Sequence, residues 1–383
     1  MATNLKLRAL RSVFLITCVA LLCSCATTEK RPQSSNTNQL PDPLQFNDGK
    51  RVKTAEAWKA RRGQIVDMVL SIEYGHIPPS PENVVVKLEA APEMLNDGKT
   101  THRRVLLKFG PKQSLEMAVD LYLPKNVTGP LPTVVRVGLD EKPSAQLNAR
   151  GYAYACYDQH ALDPDPKEGT DIIGPAQAAY PAYDWGSIGV WAWGASRALD
   201  YLLTLPELNH DQFIVTGHSR GGKTALLAGA LDERFAMVVP NGSGCGGAGC
   251  FRVMGPNSET LELITSPKRF KSWFQQDFGN YAKRENELPF DQHFVKALVA
   301  PRLLLSTDAL GDLWANPLGT QTTYLAAQPV FDLLGTSANN ALHFREGGHD
   351  QTAEDYATLL DFADLHFRGK KSDRNFDVLP FPK

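Results

Sequence analysis

The chain has 383 residues, 43% of them hydrophobic, and a formal net charge of −2. That length fits one large α/β domain or two small ones, and the near-neutral balance, with no long basic run, argues against nucleic acid as a partner. The 26 prolines and 30 glycines suit a loop-rich fold.

Lys6, Arg8 and Arg11 form a positive N-terminal region, and Val13 to Leu22 is an apolar stretch too short to span a bilayer comfortably. The next residues, Leu22-Cys23-Ser24-Cys25, resemble a bacterial lipobox. That resemblance makes residues 1–25 a lipoprotein signal and Cys25 the lipidated residue; the alternative is a plain secretory signal or a short anchor. Ala26 in place of an aspartate after the cysteine implies the outer membrane or periplasmic face, so a membrane is met only through the lipid. Residues 26–40 are expected as a polar tether and 41–383 as a single folded domain, acting as a monomer. With the signal removed, Cys156, Cys245 and Cys250 remain. Three thiols form at most one disulfide. Cys156, in an apolar run, is expected as a buried thiol.

Ala55 to Tyr74 carries Ile65, Val66, Val69 and Leu70 at helical spacing. Val84 to Ala90 and Thr101 to Phe109 are predicted strands around an Asn96-Asp97-Gly98 turn, and Ser114 to Leu123 alternates as a further strand. Thr133 to Gly138 is a short buried strand, Gly151 to Tyr157 the next, and a Pro/Asp/Gly loop then runs to Pro175. Ser187 to Leu203 is a predicted helix, Gln212 to Thr216 a strand, Ala225 to Leu231 a helix, and Phe235 to Pro240 a strand opening a Gly/Ser/Cys loop. Phe251 to Arg284 is irregular and aromatic-rich, suited to a cap or site wall. A strand at Arg302 to Leu305, a helix at Leu318 to Leu334, a strand at Ala341 to Glu346 and a helix at Glu354 to Phe367 complete the chain. From about residue 130, strand and helix alternate, the signature of a mostly parallel sheet covered on both faces.

Gly217-His218-Ser219-Arg220-Gly221-Gly222-Lys223-Thr224 fits two patterns at once. Gly217 to Gly221 is G-x-S-x-G, the nucleophile elbow of α/β-hydrolases. Gly217 to Thr224 is G-x-x-x-x-G-K-T, a phosphate-binding loop. A phosphate loop normally follows the first strand of its domain, whereas this one lies behind several. The hydrolase reading needs an acid after a later strand and a histidine after the last one. The chain supplies Asp308 or Asp312, then His349 in Gly347-Gly348-His349. An exported protein also meets little nucleotide. The α/β-hydrolase fold, a three-layer sandwich with a mostly parallel central sheet, is the expectation.

In that reading Ser219 is the nucleophile, and His349 the base that a weakly nucleophilic hydroxyl requires. The acid fixes the imidazole tautomer. Oxyanion donors are the backbone N–H of Arg220 and a group from the loop after the Val134–Val137 strand. His218 is assigned to packing of the elbow. The reading calls for no cofactor and no metal.

The motif Gly217 to Lys223 resembles the G-x-S-R-x-G-K of carbohydrate esterase family 15, the glucuronoyl esterases. Ser243-Gly244-Cys245-Gly246-Gly247-Ala248, Asp312-Leu313-Trp314-Ala315-Asn316-Pro317 and Glu346-Gly347-Gly348-His349 continue the likeness in order, over roughly residues 115 to 370. The resemblance implies a serine esterase acting on glucuronic acid esters in a uronic-acid-containing cell-wall polysaccharide. It implies that Arg220 steadies the oxyanion, a useful place for a fixed cation because charge develops there only in the transition state. It implies that Lys223, Trp314 and Glu259 hold sugar hydroxyls; the plain alternatives are a solvated lysine and a packing tryptophan. Two departures matter. Fungal members carry their catalytic glutamate where this chain has Gly242, so the acid is expected at Asp312, as in many bacterial members, with Asp308 second. The fungal cysteine before the serine is His218, so that disulfide is expected to be absent. A carbohydrate acetyl esterase on the same fold, or a non-catalytic carbohydrate-binding lipoprotein, are the competing functions.

Overall fold

The middles of the parallel strands are largely apolar on both faces, and the computed structural model, which describes residues 40–165 and 173–382, shows why. Among the described residues ten strands make one sheet: β1 (Val85–Glu89), β2 (Glu93–Leu95), β3 (Thr100–Phe109), β4 (Leu115–Pro124), β5 (Leu131–Val137), β6 (Ala153–Tyr157), β7 (Leu208–His218), β8 (Phe235–Asn241), β9 (Leu303–Ala309) and β10 (Asn340–Arg345). Their order is β1-β3-β4-β6-β5-β7-β8-β9-β10, with β2 paired to β3. From β6 to β10 every pairing is parallel, whereas β1 to β4 join antiparallel and β4 meets β6 antiparallel.

Alternation sorts the central strands onto two cores. Val134, Ile214, Met237, Val239, Leu303 and Leu305 face one way, against Tyr356, Leu359 and Phe362 of the helix Ala353–Arg368. Val135, Val215, Val238 and Leu304 face the other, against the helices Ser187–Leu202 and Arg220–Leu231. The second helix lies so close that a Cβ on Gly229 would stand 2.2 Å from Val238 Cγ2. β1 is exposed along its whole length.

The predicted elements are present with shifted ends, and three differences have physical causes. The first helix is α-helical over Ala55–Val69 and continues as a π-turn, Leu70–Tyr74, burying Glu73 with Tyr74. Short helices at Ser144–Ala149, Pro175–Ala179, Leu261–Ile264 and His293–Ala297 have too few turns to show a period. The last helix gains a capping box, the Thr352 side chain with the Asp355 backbone and the reverse, and ends at Gly369 in the left-handed region. Cys156, Cys245 and Cys250 are free, buried thiols, so no disulfide links them. The expected signal with Cys25, and the tether up to residue 39, lie outside the described residues. No described helix is long and apolar enough to cross a membrane.

Candidate active site

β7 ends in a turn that only small neighbours permit. A Cβ on Gly217 would stand 2.3 Å from Gly221 O, and one on Gly222 would stand 2.7 Å from Asn241 O. Between them Ser219 takes φ 56°, ψ −122°, a conformation that costs a serine on the order of 1–3 kcal/mol. Its N–H donates to Asn241 O (3.0 Å), and its own carbonyl accepts from the N–H groups of Gly222 and Lys223. These bonds hold the strained residue at the start of the helix.

The side chains that the sequence placed after three different strands meet here. His349 Nε2 lies 2.9 Å from Ser219 Oγ. His349 Nδ1 lies 2.6 Å from Asp312 Oδ2. Asp312 Oδ1 accepts from the Ala315 N–H at 3.2 Å, so the buried carboxylate cannot swing away. A carboxylate beside Nδ1 demands the Nδ1–H tautomer, which leaves the Nε2 lone pair for the serine proton. The bond to Asp312 also raises the His349 pKa above the ordinary histidine value, against the opposing effect of burial.

Asp308, the other candidate acid, lies within β9 and does not reach the histidine. It is fully buried, and Thr320 is the donor beside it, without a well-aligned hydrogen bond to either oxygen. Burial pushes its pKa up to about 7, with the charge of Asp312 adding to the effect. Nearby, buried Lys296 donates to Thr320 O at 3.1 Å, and desolvation pushes its pKa down to about 7.

His218 is a packing residue, as expected. Its Nδ1 lies 2.7 Å from Asn241 Oδ1, Asn241 Nδ2 donates to Thr307 Oγ1 at 2.9 Å, and the two histidine rings are 4.5 Å apart. Burial lowers the His218 pKa. The ring also explains Gly242. That residue has φ +50°, and a Cβ on it would stand 3.1 Å from His218 Cε1 and 3.5 Å from Asp312 Oδ2.

Arg220 stands beside Ser219, half-buried, ion-paired with Asp165 and lying 5.2 Å over the Trp273 ring. Asp165 also accepts from Trp273 Nε1 at 2.9 Å, so one carboxylate aligns both. The end of β5 abuts the elbow: a Cβ on Gly221 would stand 3.4 Å from Val137 O. Arg136 ties the next turn down by donating to Gly138 O at 2.8 Å.

Lys223 differs from expectation. Its ammonium is turned into the protein, 2% exposed, and donates to Ser243 O (2.7 Å), Cys245 O (2.6 Å) and Glu259 Oε2 (2.6 Å). Its three N–H groups are therefore taken, and it is neither a solvated lysine nor the cradle of a phosphate loop. Glu259 is buried with it, and its N–H donates to Trp314 O at 3.0 Å. The Trp314 side chain is half-buried, and its indole N–H has no partner among the described residues. Asp165 and Trp273 were not picked out from sequence; only the aromatic richness of Phe251 to Arg284 pointed toward a site wall. Among the described residues, no group of His, Cys, Asp and Glu is arranged to hold a metal ion.

A family model of fungal glucuronyl esterases matches residues 110–335. The chain is also 32% identical to the carbohydrate esterase MZ0003 of an unknown prokaryotic organism, over 86% of this chain and 90% of that one. The chain belongs to carbohydrate esterase family 15, the glucuronoyl esterases. Among family 15 proteins it is also similar to the 4-O-methyl-glucuronoyl methylesterase of Schizophyllum commune, 30% identical over 86% of this chain and 82% of that one. A family 15 glucuronoyl esterase structure from Caldicellulosiruptor kristjansonii superposes with a TM-score of 0.77 at 31% identity, covering 90% of this chain and 94% of that one. A promiscuous family 15 esterase from a marine bacterial metagenome gives 0.75 at 30% identity, covering 86% and 99%.

Proposed function

We propose that the protein is a serine esterase that hydrolyses esters of glucuronic acid or its 4-O-methyl ether in plant or algal cell-wall polysaccharide. The observation that carries this reading is the unbroken chain Asp312–His349–Ser219, with the Arg220 guanidinium beside the serine. Ser219 Oγ attacks the ester carbonyl as His349 Nε2 takes its proton. The carbonyl oxygen becomes an oxyanion next to the Arg220 guanidinium and the Arg220 N–H, which begins the helix and so has no partner within it. Collapse expels the alcohol, which takes the proton from His349 and leaves a glucuronoyl-serine. Water repeats the sequence and releases the uronic acid.

Asp312 holds the imidazole in position. The sugar ring rests against the Trp314 end, where the indole N–H is a donor for a hydroxyl. Glu259 and Lys223, 3% and 2% exposed, form the floor, with Lys223 acting mainly by fixing Glu259 and the carbonyls of Ser243 and Cys245. Residues 1–25 serve as the lipoprotein signal and Cys25 as the anchor of a single domain spanning 41–383. Incorporation of a fatty-acid label that disappears in Cys25→Ala checks the anchor. For the activity, purified protein is incubated with benzyl or methyl glucuronate and free uronic acid is followed; wild-type release equal to that of Ser219→Ala ends the proposal.

A further inference from the structure

The wall of the site carries a ladder of cations and rings. The Arg220 guanidinium lies 5.2 Å over the Trp273 ring. Trp273 stacks on Phe270 with centroids 4.0 Å apart and planes 23° apart. Arg269 lies 4.9 Å over Phe270 and 5.4 Å over Trp314. The ladder therefore runs from the residue beside the nucleophile to the tryptophan assigned to the sugar.

Its two guanidinium groups are equipped differently. Arg220 has a carboxylate, Asp165. Arg269 is exposed, and among the described residues its side chain forms no ion pair and no hydrogen bond. Rings against a guanidinium fix its plane and leave its N–H groups at the edge. Such an edge matches a carboxylate or sulfate, which accept two parallel hydrogen bonds. Arg220 is paired with Asp165 and Lys223 with Glu259, so among the described residues Arg269 has no carboxylate partner on this wall. Its field reaches the elbow: burial lowers the Arg220 pKa most, Glu259 opposes this, and Arg269 adds to the lowering.

We propose that Arg269 is an anion-recognising subsite, and that the substrate is an acidic polymer carrying a carboxylate or sulfate on the sugar next to the esterified uronate. This rests on the uronate-esterase reading. A neutral neighbouring sugar leaves the guanidinium edge unused, whereas an acidic one is held by a cation whose plane is set before binding, so little ordering remains to be done.

The test compares three substrates: the methyl ester of glucuronate, a diuronate monomethyl ester with its second carboxylate free, and the counterpart bearing a sulfate there. Wild type is expected to favour an anionic ester by about five- to ten-fold in kcat/KM, mostly through KM, as for a single charge-assisted contact at an open site. Arg269→Ala should bring that ratio to about one, Arg269→Lys should keep part of it, and 0.5 M salt should reduce it in wild type. Whether carboxylate or sulfate gains more identifies the group. A wild-type ratio of about one, or one that Arg269→Ala leaves unchanged, overturns the proposal. Binding gives a second readout: Ser219→Ala protein is titrated with the same esters while tryptophan fluorescence is followed. Equal affinities, or no binding of either anionic ester, overturn the inference even where turnover is not seen. Failure of wild type to cleave the neutral ester, with discrimination in binding intact, tells instead against the esterase reading.

Discussion

At the serine end of the site the polar side chains already have partners within the protein. Ser219 is bonded to His349, His349 to Asp312, and Asp312 to a backbone N–H. At the Trp314 end, the indole and the Arg269 guanidinium present donors that no described residue accepts. The contrast separates two tasks. Groups that move protons and stabilise charge gain from being fixed before substrate arrives. Groups that recognise substrate must leave their bonds for it.

The contrast breaks most severely at the nucleophile. Ser219→Ala or His349→Ala is expected to lower kcat on a glucuronate ester on the order of a millionfold, by analogy with other serine triads. Asp312→Asn should cost on the order of ten-thousandfold, because the amide favours the wrong tautomer. Asp308→Asn should change kcat only a few-fold, and a reversed pair of results would move the acid to β9. Arg220→Ala removes a donor aimed at developing charge and should cost roughly a hundred- to a thousand-fold in kcat, with KM changed far less. The floor behaves differently: Lys223→Met leaves Glu259 as an unpaired buried carboxylate and is expected to destabilise the fold by about 3–5 kcal/mol in thermal unfolding, largely recovered by adding Glu259→Leu. The smallest effect is on pH. Only neutral His349 accepts the serine proton, and Asp312 raises its pKa, so kcat/KM should fall as pH drops through a value above the ordinary histidine one. In Asp312→Asn the residual activity should lose its acid limb at lower pH; an unmoved midpoint would sever that link.

The residues most legible in the sequence were those whose function fixes their place along the chain. Ser219, the acid and His349 each follow a strand, so strand order was enough to bring them together. Asp308 and Asp312 both follow the same run of leucines, and where the strand ends separates them: Asp308 is still inside β9, whereas Asp312 lies beyond it and reaches His349. Asp165 was illegible because it reaches Arg220 across 55 residues from an irregular loop. Lys223 was half legible. Its position after the serine was clear, but a sequence shows a lysine's donors without their acceptors, and here two carbonyls and a carboxylate draw the ammonium inward. The π-turn that buries Glu73 was hidden for a related reason, since a charged residue in an apolar helix face interrupts the period that would have revealed it.

The close fit of the His218 ring against Gly242 makes residues 218 and 242 epistatic. A glutamate at position 242 would place a side chain on left-handed backbone with its Cβ 3.1 Å from His218 Cε1, so the ring would have to give way by a few tenths of an ångström. An acid at the end of β8 therefore asks for an adjustment at 218 as well as a change at 242. A smaller residue at 218 would relieve that contact and would also remove the ring packed on His349.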